Sequence, residues 1–324
     1  MATDFHGSMY SLDFYGQMIA DARRMEAYVA ALRKTVRSDS VVMDLGCGPG
    51  VLALIACKLG ARRVYAVEPE NVIGLAREAA TANGFADRIE FFENVSTQIV
   101  LPEPANIIVS DLRGVLPWFQ QHIPSIIDAR QRLLVPGGVL IPQRDVLWAA
   151  VVEAPKQYEE LVGPWQSDEF GLDLTAGRRL ITNTWRKTRL TSEQFLTEPV
   201  SWATVDYYEV DSPDTSAEIS WRASRNGTAQ GIAVWFDSEL AEGIGFSNHP
   251  AAPQLIYGTG LFPFPEPVQV CEGDRIKSRL AADFVKNDYV WRWDTDFPKT
   301  SFKQSSFHGV PLTRAVLSKS VTNP

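Results

Sequence analysis

The residues of this 324-residue chain best suited to chemistry lie between positions 41 and 54, in VVMDLGCGPGVLAL. An apolar run that reads as a buried strand ends on Asp44. Gly46, Gly48 and Gly50 follow at alternate positions, and an apolar helix pattern opens near Val51. Glycines there let the backbone take positive φ and approach a ligand with no Cβ in the way. A second acid, Glu68, ends the run RVYAVE, and an acid at the tip of the second strand of such a sheet hydrogen-bonds ribose hydroxyls. The dinucleotide fingerprint, GxGxxG, sets a pyrophosphate on a helix N-terminus. Here the spacing is D-x-G-x-G-x-G. The leading acid would repel a pyrophosphate and face a cationic amino group, such as S-adenosylmethionine carries. The motif favours a methyl-donor site over a dinucleotide site or a purely structural turn.

The elements that must position these residues change texture along the chain. Up to about Pro142, short apolar runs alternate with helical patterns (VVMDL, VLALIACKLGA, RVYAVE, NVIGLAREAATANG, RIEFFE, NIIVSD), which predicts βαβ units and a parallel sheet. Gly60, Gly84 and Pro136-Gly137-Gly138 fall where such elements should stop. Residues 11–37 predict a leading helix or helix pair. After Pro142 the runs VLWAAVV, RRLITNTW, SWATVDYYEV, AEISWRAS, GIAVWFD and YVWRWDT are rich in β-branched and aromatic residues, predicting a mostly antiparallel β domain.

Composition narrows the function classes. Hydrophobic residues make up 45% and charged residues 22%, enough for a sizeable core without a metal or disulfide staple. The formal charge of -8 argues against nucleic acid as partner. No apolar run approaches the ~18 residues of a membrane helix, and the N-terminus lacks a signal peptide's layout. Cys47, Cys57 and Cys271 form no CxxC pair and read as reduced thiols in a cytoplasmic protein. No metal site is expected.

The chain resembles the protein arginine methyltransferase family over most of its length. VVMDLGCGPGVLALIACKLGARRVYAVE is similar to that family's first two cofactor motifs. MIADARRMEAY resembles the helix that closes over the cofactor, which implies Met18 against the donor and Arg24 on its carboxylate. NIIVSDLRG stands in the place of the family's acidic loop, and LLVPGGVLIPQR in that of its sheet-ending motif. FGLDL resembles the start of its dimerisation arm, and GFSNHPAAPQLIYGTGLFPFPEPVQVCEGDRI its late barrel loop. Ser96, in FFENVSTQ, falls where the family surrounds adenine. The implied architecture is a helical cofactor lid over 1–36, a Rossmann-like S-adenosylmethionine domain over 37–142 and a β-barrel substrate domain over 143–324. An arm at about 170–195 implies a homodimer.

The departures concentrate on the acceptor side. The family grips a guanidinium with two glutamates on one loop. Here the loop reads SDLRGVLPWFQ, so the matching positions are Asp111 and Gln120, and a basic Arg113 stands where the family is apolar. The family's Thr-His-Trp triplet corresponds to Leu255-Ile256-Tyr257, without the histidine. The loop residue His249 could act as a general base, although a loop histidine more often does not.

Each candidate has a plainer role beside it. Asp44 could cap the strand-to-helix turn, Glu68 could be a solvated strand end, Arg24 a surface charge and Ser96 an ordinary loop hydroxyl. Gln120 and Arg113 could be surface residues. Methyl transfer requires donor and acceptor in line, with the acceptor lone pair free. A guanidinium needs carboxylates, whereas an amide, hydroxyl or ring nitrogen is better served by neutral groups, because a buried unpaired carboxylate is costly. The expectation is an S-adenosylmethionine-dependent N-methyltransferase acting on a peptide side chain or small metabolite other than a guanidinium. In it Asp111 orients the acceptor or takes its proton, Gln120 positions a neutral group and Arg113 faces an acid or carbonyl. The alternatives are a true arginine methyltransferase and a catalytically silent partner; a dinucleotide-dependent oxidoreductase is a more distant one.

Overall fold

The computed structural model describes residues 11–166 and 171–309. Two helices lead, α1 (Leu12–Ala20) and α2 (Ala22–Thr35). Asp21 caps α2 by accepting from Arg24 N at 3.2 Å. The buried positions of α2 are Arg24, Ala27, Tyr28, Ala31 and Leu32, a stripe at i, i+3, i+4, i+7 and i+8. That stripe packs against Val42 and Val109 of one sheet and Leu240 and Ala241 of another, so α2 is wedged between the two halves of the molecule. By contrast α1 buries no residue and lies over the surface.

The first half is a five-stranded parallel sheet built from β1 (Val41–Leu45), β2 (Arg63–Val67), β3 (Ile89–Phe92), β4 (Ala105–Ser110) and β5 (Leu134–Ile141), ordered β3-β2-β1-β4-β5. Between them run α3 (Val51–Lys58), α4 (Ile73–Ala82) and α5 (His122–Arg132). The order reverses between β1 and β4. Loops leaving the carboxyl ends of those strands diverge there, which opens a crevice for ligands. Asp44 lies at the end of β1, Glu68 just beyond β2 and Asp111 just beyond β4, so all three acids reach that edge.

The second half is antiparallel. Strands β6 (Arg144–Val152), β7 (Arg186–Thr188), β8 (Val200–Asp206), β10 (Gly227–Ala241), β11 (Ile244–Ser247) and β12 (Thr259–Val270) form one sheet. Strands β9 (Thr215–Arg222), β13 (Arg275–Val285), β14 (Asp288–Asp296) and β15 (Ser301–Phe302) form the other. The expected α/β fold is therefore present, with the hydrogen bonding of the β domain divided between two sheets. Trp202, Trp221, Trp291 and Trp293 fill the space between them. Trp118, from the loop after β4, joins this core with its ring 5.4 Å from that of Trp202.

One element differs from the expectation. The run RRLITNTW reads as a strand, but its first half closes α7 (Thr175–Ile181), which follows α6 (Pro155–Val162). A short apolar run is compatible with either state, and packing decides. Gly177 provides the packing, because a Cβ there would lie 1.9 Å from the Trp165 ring. Among the described residues no helix is long and apolar enough to cross a membrane.

Candidate active site

The glycine loop is held by its own amides. Gly46 N and Cys47 N both donate to Val67 O, at 2.8 and 3.0 Å, and Gly50 N donates to Cys47 O at 2.8 Å. Gly48 N donates to Glu68 Oε2 at 3.0 Å. A loop whose amides are spent in this way has none left to cradle a pyrophosphate. Gly46 and Gly48 have φ of 73° and 51°. A Cβ at Gly46 would lie 2.1 Å from Leu112, and one at Gly48 would lie 2.8 Å from the Tyr15 ring of α1. Only glycine lets the lid helix and the loop after β4 come this close. Gly50 begins α3 and packs on Ala76.

Asp44 and Glu68 serve the loop as well as facing the crevice. Asp44 Oδ2 accepts from Ala53 N at 2.8 Å, capping the first turn of α3. Burial pushes its pKa up to about 7, offset in part by that amide. Glu68 is held by Gly48 N and, at 2.9 Å, by Glu70 N, with its pKa also raised by burial.

Asp44, Gly46, Gly48, Tyr15, Met18, Arg24 and Asp111 line one cavity under α1. An acid and a base in one cavity match the ammonium and carboxylate of an amino-acid end. Ser96 is buried with its Oγ unpartnered among the described residues, a hydroxyl with hydrogen-bonding capacity to spare, and it does not line that cavity. The donor set fits S-adenosylmethionine.

Asp111 is the hub of the acceptor side. Arg24 Nη2 lies 2.5 Å and Nε 2.6 Å from Asp111 Oδ2. Tyr257 Oη donates to Oδ1 and Oδ2 at 2.8 and 2.7 Å, and Arg113 Nε donates to Oδ1 at 3.1 Å. Burial alone would raise the Asp111 pKa, but the two guanidinium groups outweigh it and hold the carboxyl below its usual range. Arg24 is thus placed on Asp111, within reach of the donor cavity that it also lines.

Arg113 departs from the expectation of a cation facing the acceptor. Its side chain is 0% exposed. Nη1 donates to both oxygens of Asp145, at 2.6 and 2.8 Å, and to Ser238 Oγ at 2.7 Å. Nη2 donates to Tyr28 Oη at 2.7 Å. The physical reason is the cost of a bare buried charge, which the acid opposite it on β6 removes. Asp145 also accepts from Tyr207 Oη at 2.6 Å, so His122 Nε2, 3.0 Å from that hydroxyl, must be the protonated nitrogen. Burial and Arg113 push His122 down to about 3, and it stays neutral.

Gln120 has a φ of 44° and is half-buried, but it lines neither the donor cavity nor the one beside Asp111. Two residues earlier Trp118 anchors the loop in the β-domain core. His249 Nδ1 accepts from Ala251 N at 2.9 Å, a local turn contact.

Tyr28, Asp145 and Tyr257 are site residues that sequence reasoning left unassigned. Tyr28 lies four residues after Arg24, hence on the same helix face. Asp145 and Tyr257 were findable only as polar residues in runs otherwise headed for a core. Next to Asp111 lies a second cavity of about 220 Å³, lined by Phe14, Met18, Arg113, Gly114, Val115, Phe119, Trp185, Lys187, Ile256 and Tyr257. Met18 is the residue common to both cavities and so marks their boundary.

Comparison with known proteins gives two family-model matches. Residues 143–298 match the arginine methyltransferase oligomerization subdomain, and residues 26–159 match ribosomal protein L11 methyltransferase. The chain is 25% identical to protein arginine N-methyltransferase 1 of Dictyostelium discoideum, over 94% of this chain and 93% of that protein. It is 28% identical to probable protein arginine N-methyltransferase 6 of Arabidopsis thaliana, over 73% of this chain and 56% of that longer protein. In fold it is similar to a chain of the Trypanosoma brucei PRMT1 enzyme-prozyme heterotetrameric complex with AdoHcy. The TM-score is 0.82 at 22% identity, covering 91% of this chain and 98% of that one.

Proposed function

We propose an acceptor other than a guanidinium for this chain, which belongs to the protein arginine methyltransferase family and is an S-adenosylmethionine-dependent methyltransferase. The carrying observation is the state of Asp111. Both its oxygens are engaged by Arg24, Arg113 and Tyr257, and no carboxylate lines the second cavity, whose wall holds Arg113 and Tyr257, among the described residues. A guanidinium there would meet no unspent acid to localise its charge or orient its nitrogen. The expected repulsion by Arg113 plays no part in this reading, since Asp145 and Asp111 neutralise that cation.

The bound donor supplies a methyl group on a sulfonium. The chain's share is positioning. Asp44 and Arg24 take the ammonium and carboxylate ends, and Glu68 takes the ribose. Met18, at the boundary of the two cavities, lines the path the methyl must cross. Asp111, held ionised, accepts the Tyr257 hydroxyl and so fixes that side chain in the wall of the second cavity. Ser96 takes the adenine end, where its spare hydroxyl finds a partner. A cytoplasmic setting accords with three cysteines that are free thiols.

The test is incubation with labelled donor against arginine peptides and a panel of peptides and small metabolites, with mass spectrometry of products. Methylation of a non-guanidinium acceptor is expected, without methylarginine. Methylarginine formed at turnovers per minute would overturn the proposal. The same locked carboxylate also favours a second reading, a silent subunit that keeps the donor site for assembly with an active partner. Tight S-adenosylhomocysteine binding with no turnover on any acceptor would select it.

A further inference from the structure

We propose that the acceptor is a small aromatic molecule carrying a carboxylate, its ring in the apolar cavity beside Asp111 and its carboxylate on Lys187. The inference deepens the non-guanidinium reading and rests on it.

Three observations carry the chemistry. The first is the lining. Phe14, Phe119, Trp185 and Tyr257 put four aromatic side chains around one cavity, with Met18 toward the donor. Trp185 is held in place by stacking on Phe262, centroids 5.6 Å apart at 15°. Phe119 lies so close over Gly114 that a Cβ there would be 2.8 Å from its ring. Such walls favour a flat ring through offset and edge contacts. The second is size. At about 220 Å³ the cavity is smaller than the ~300–1,000 Å³ of drug-sized ligand pockets, and it suits one or two rings.

The third is the charge at its edge. Lys187 is on β7, pinned by the Lys187–Gly260 pairing with β12. Its ammonium donates to the Ile256 carbonyl and sits 5.7 Å from the centroid of the Phe14 ring. One carbonyl uses one of its three donors. No salt bridge involves it among the described residues, and no Asp or Glu lines the cavity. The positive charges of Lys187 and the neighbouring Arg189 would stabilise an incoming anion and repel a cation, and an anion there would offset the lowering of the Lys187 pKa by burial and Arg189. A carboxylate would complete the ammonium's partners by charge-assisted hydrogen bonds.

The test uses the full chain saturated with S-adenosylhomocysteine, titrated by calorimetry with benzoate and indole-3-carboxylate and with the matching carboxamides. The carboxylates are expected to bind at least about tenfold more tightly than the amides. In Lys187→Met that preference should vanish while S-adenosylhomocysteine affinity, the control for folding, stays unchanged. Equal affinity of acid and amide in the native chain, a preference that survives Lys187→Met, or no binding of either would overturn the inference. Failure of S-adenosylhomocysteine to bind would instead sink the methyltransferase reading, so the two failures are separable.

Discussion

Arg113 and Asp145 form a fully buried two-point ion pair that ties the loop after β4 to the first strand of the β domain, with Nη1 at 2.6 and 2.8 Å from the two carboxylate oxygens. Through Arg113 Nε the same pair reaches Asp111 at 3.1 Å. The acceptor-side carboxylate is thus fixed by a contact made between the two halves of the molecule.

Breaking that pair from one side leaves the other charge stranded. Arg113→Met and Asp145→Ala should each cost on the order of 3–5 kcal/mol, and the double variant clearly less than their sum. Denaturant unfolding of the three variants checks this. Single variants within about 1 kcal/mol of the native chain would show that the pair adds nothing.

Arg24 pairs with Asp111 and with it lines the donor cavity, and its assignment there predicts a ligand-selective defect. Arg24→Ala should weaken S-adenosylhomocysteine by about tenfold, on the order of 1.4 kcal/mol. It should leave 5′-methylthioadenosine, which lacks the carboxylate, nearly unaffected. Equal losses for both ligands in calorimetry would place Arg24 outside the donor's amino-acid end.

The Asp44 carboxyl is raised to about 7 by burial, so below that pH it holds a proton in the free protein. A donor ammonium prefers it ionised. S-adenosylhomocysteine affinity should therefore rise as pH increases through about 7, with proton release on binding below it. Because the folded pKa lies above the unfolded one, Asp44 makes the fold less stable as pH climbs from the ordinary carboxylate range to about 7. Asp44→Asn should flatten both trends. Glu68, also raised, is left in place as the comparison. A binding profile unchanged by Asp44→Asn would refute the role.

We propose a homodimer through the segment near 170–195, in which Leu172 and Leu174 are 59% and 38% exposed. The two leucines stand just before α7 and offer apolar surface that a partner would cover. Light scattering at micromolar concentration should give twice the chain mass, and Leu172→Asp with Leu174→Asp should give the monomer. A native chain that is monomeric and fully active would rule the dimer out.

What the sequence by itself determined was local. The acid before the glycines, the glycines at alternate positions and the acid ending the next strand are set by neighbours a few residues away, and the parallel sheet follows from the alternation of runs. The β-rich second half was legible in the same way, except where RRLITNTW enters α7, since a short run carries no period that separates helix from strand. Tertiary structure decided the acceptor side. Arg113 finds its partners 32 and 125 residues away, and Tyr257 meets Asp111 across 146. A charged side chain three residues beyond a strand end reads as solvated until an opposite charge on a distant strand makes burial tolerable. Whether Arg113 meets a substrate or a buried acid depends on that long-range pairing, which no spacing along the chain encodes.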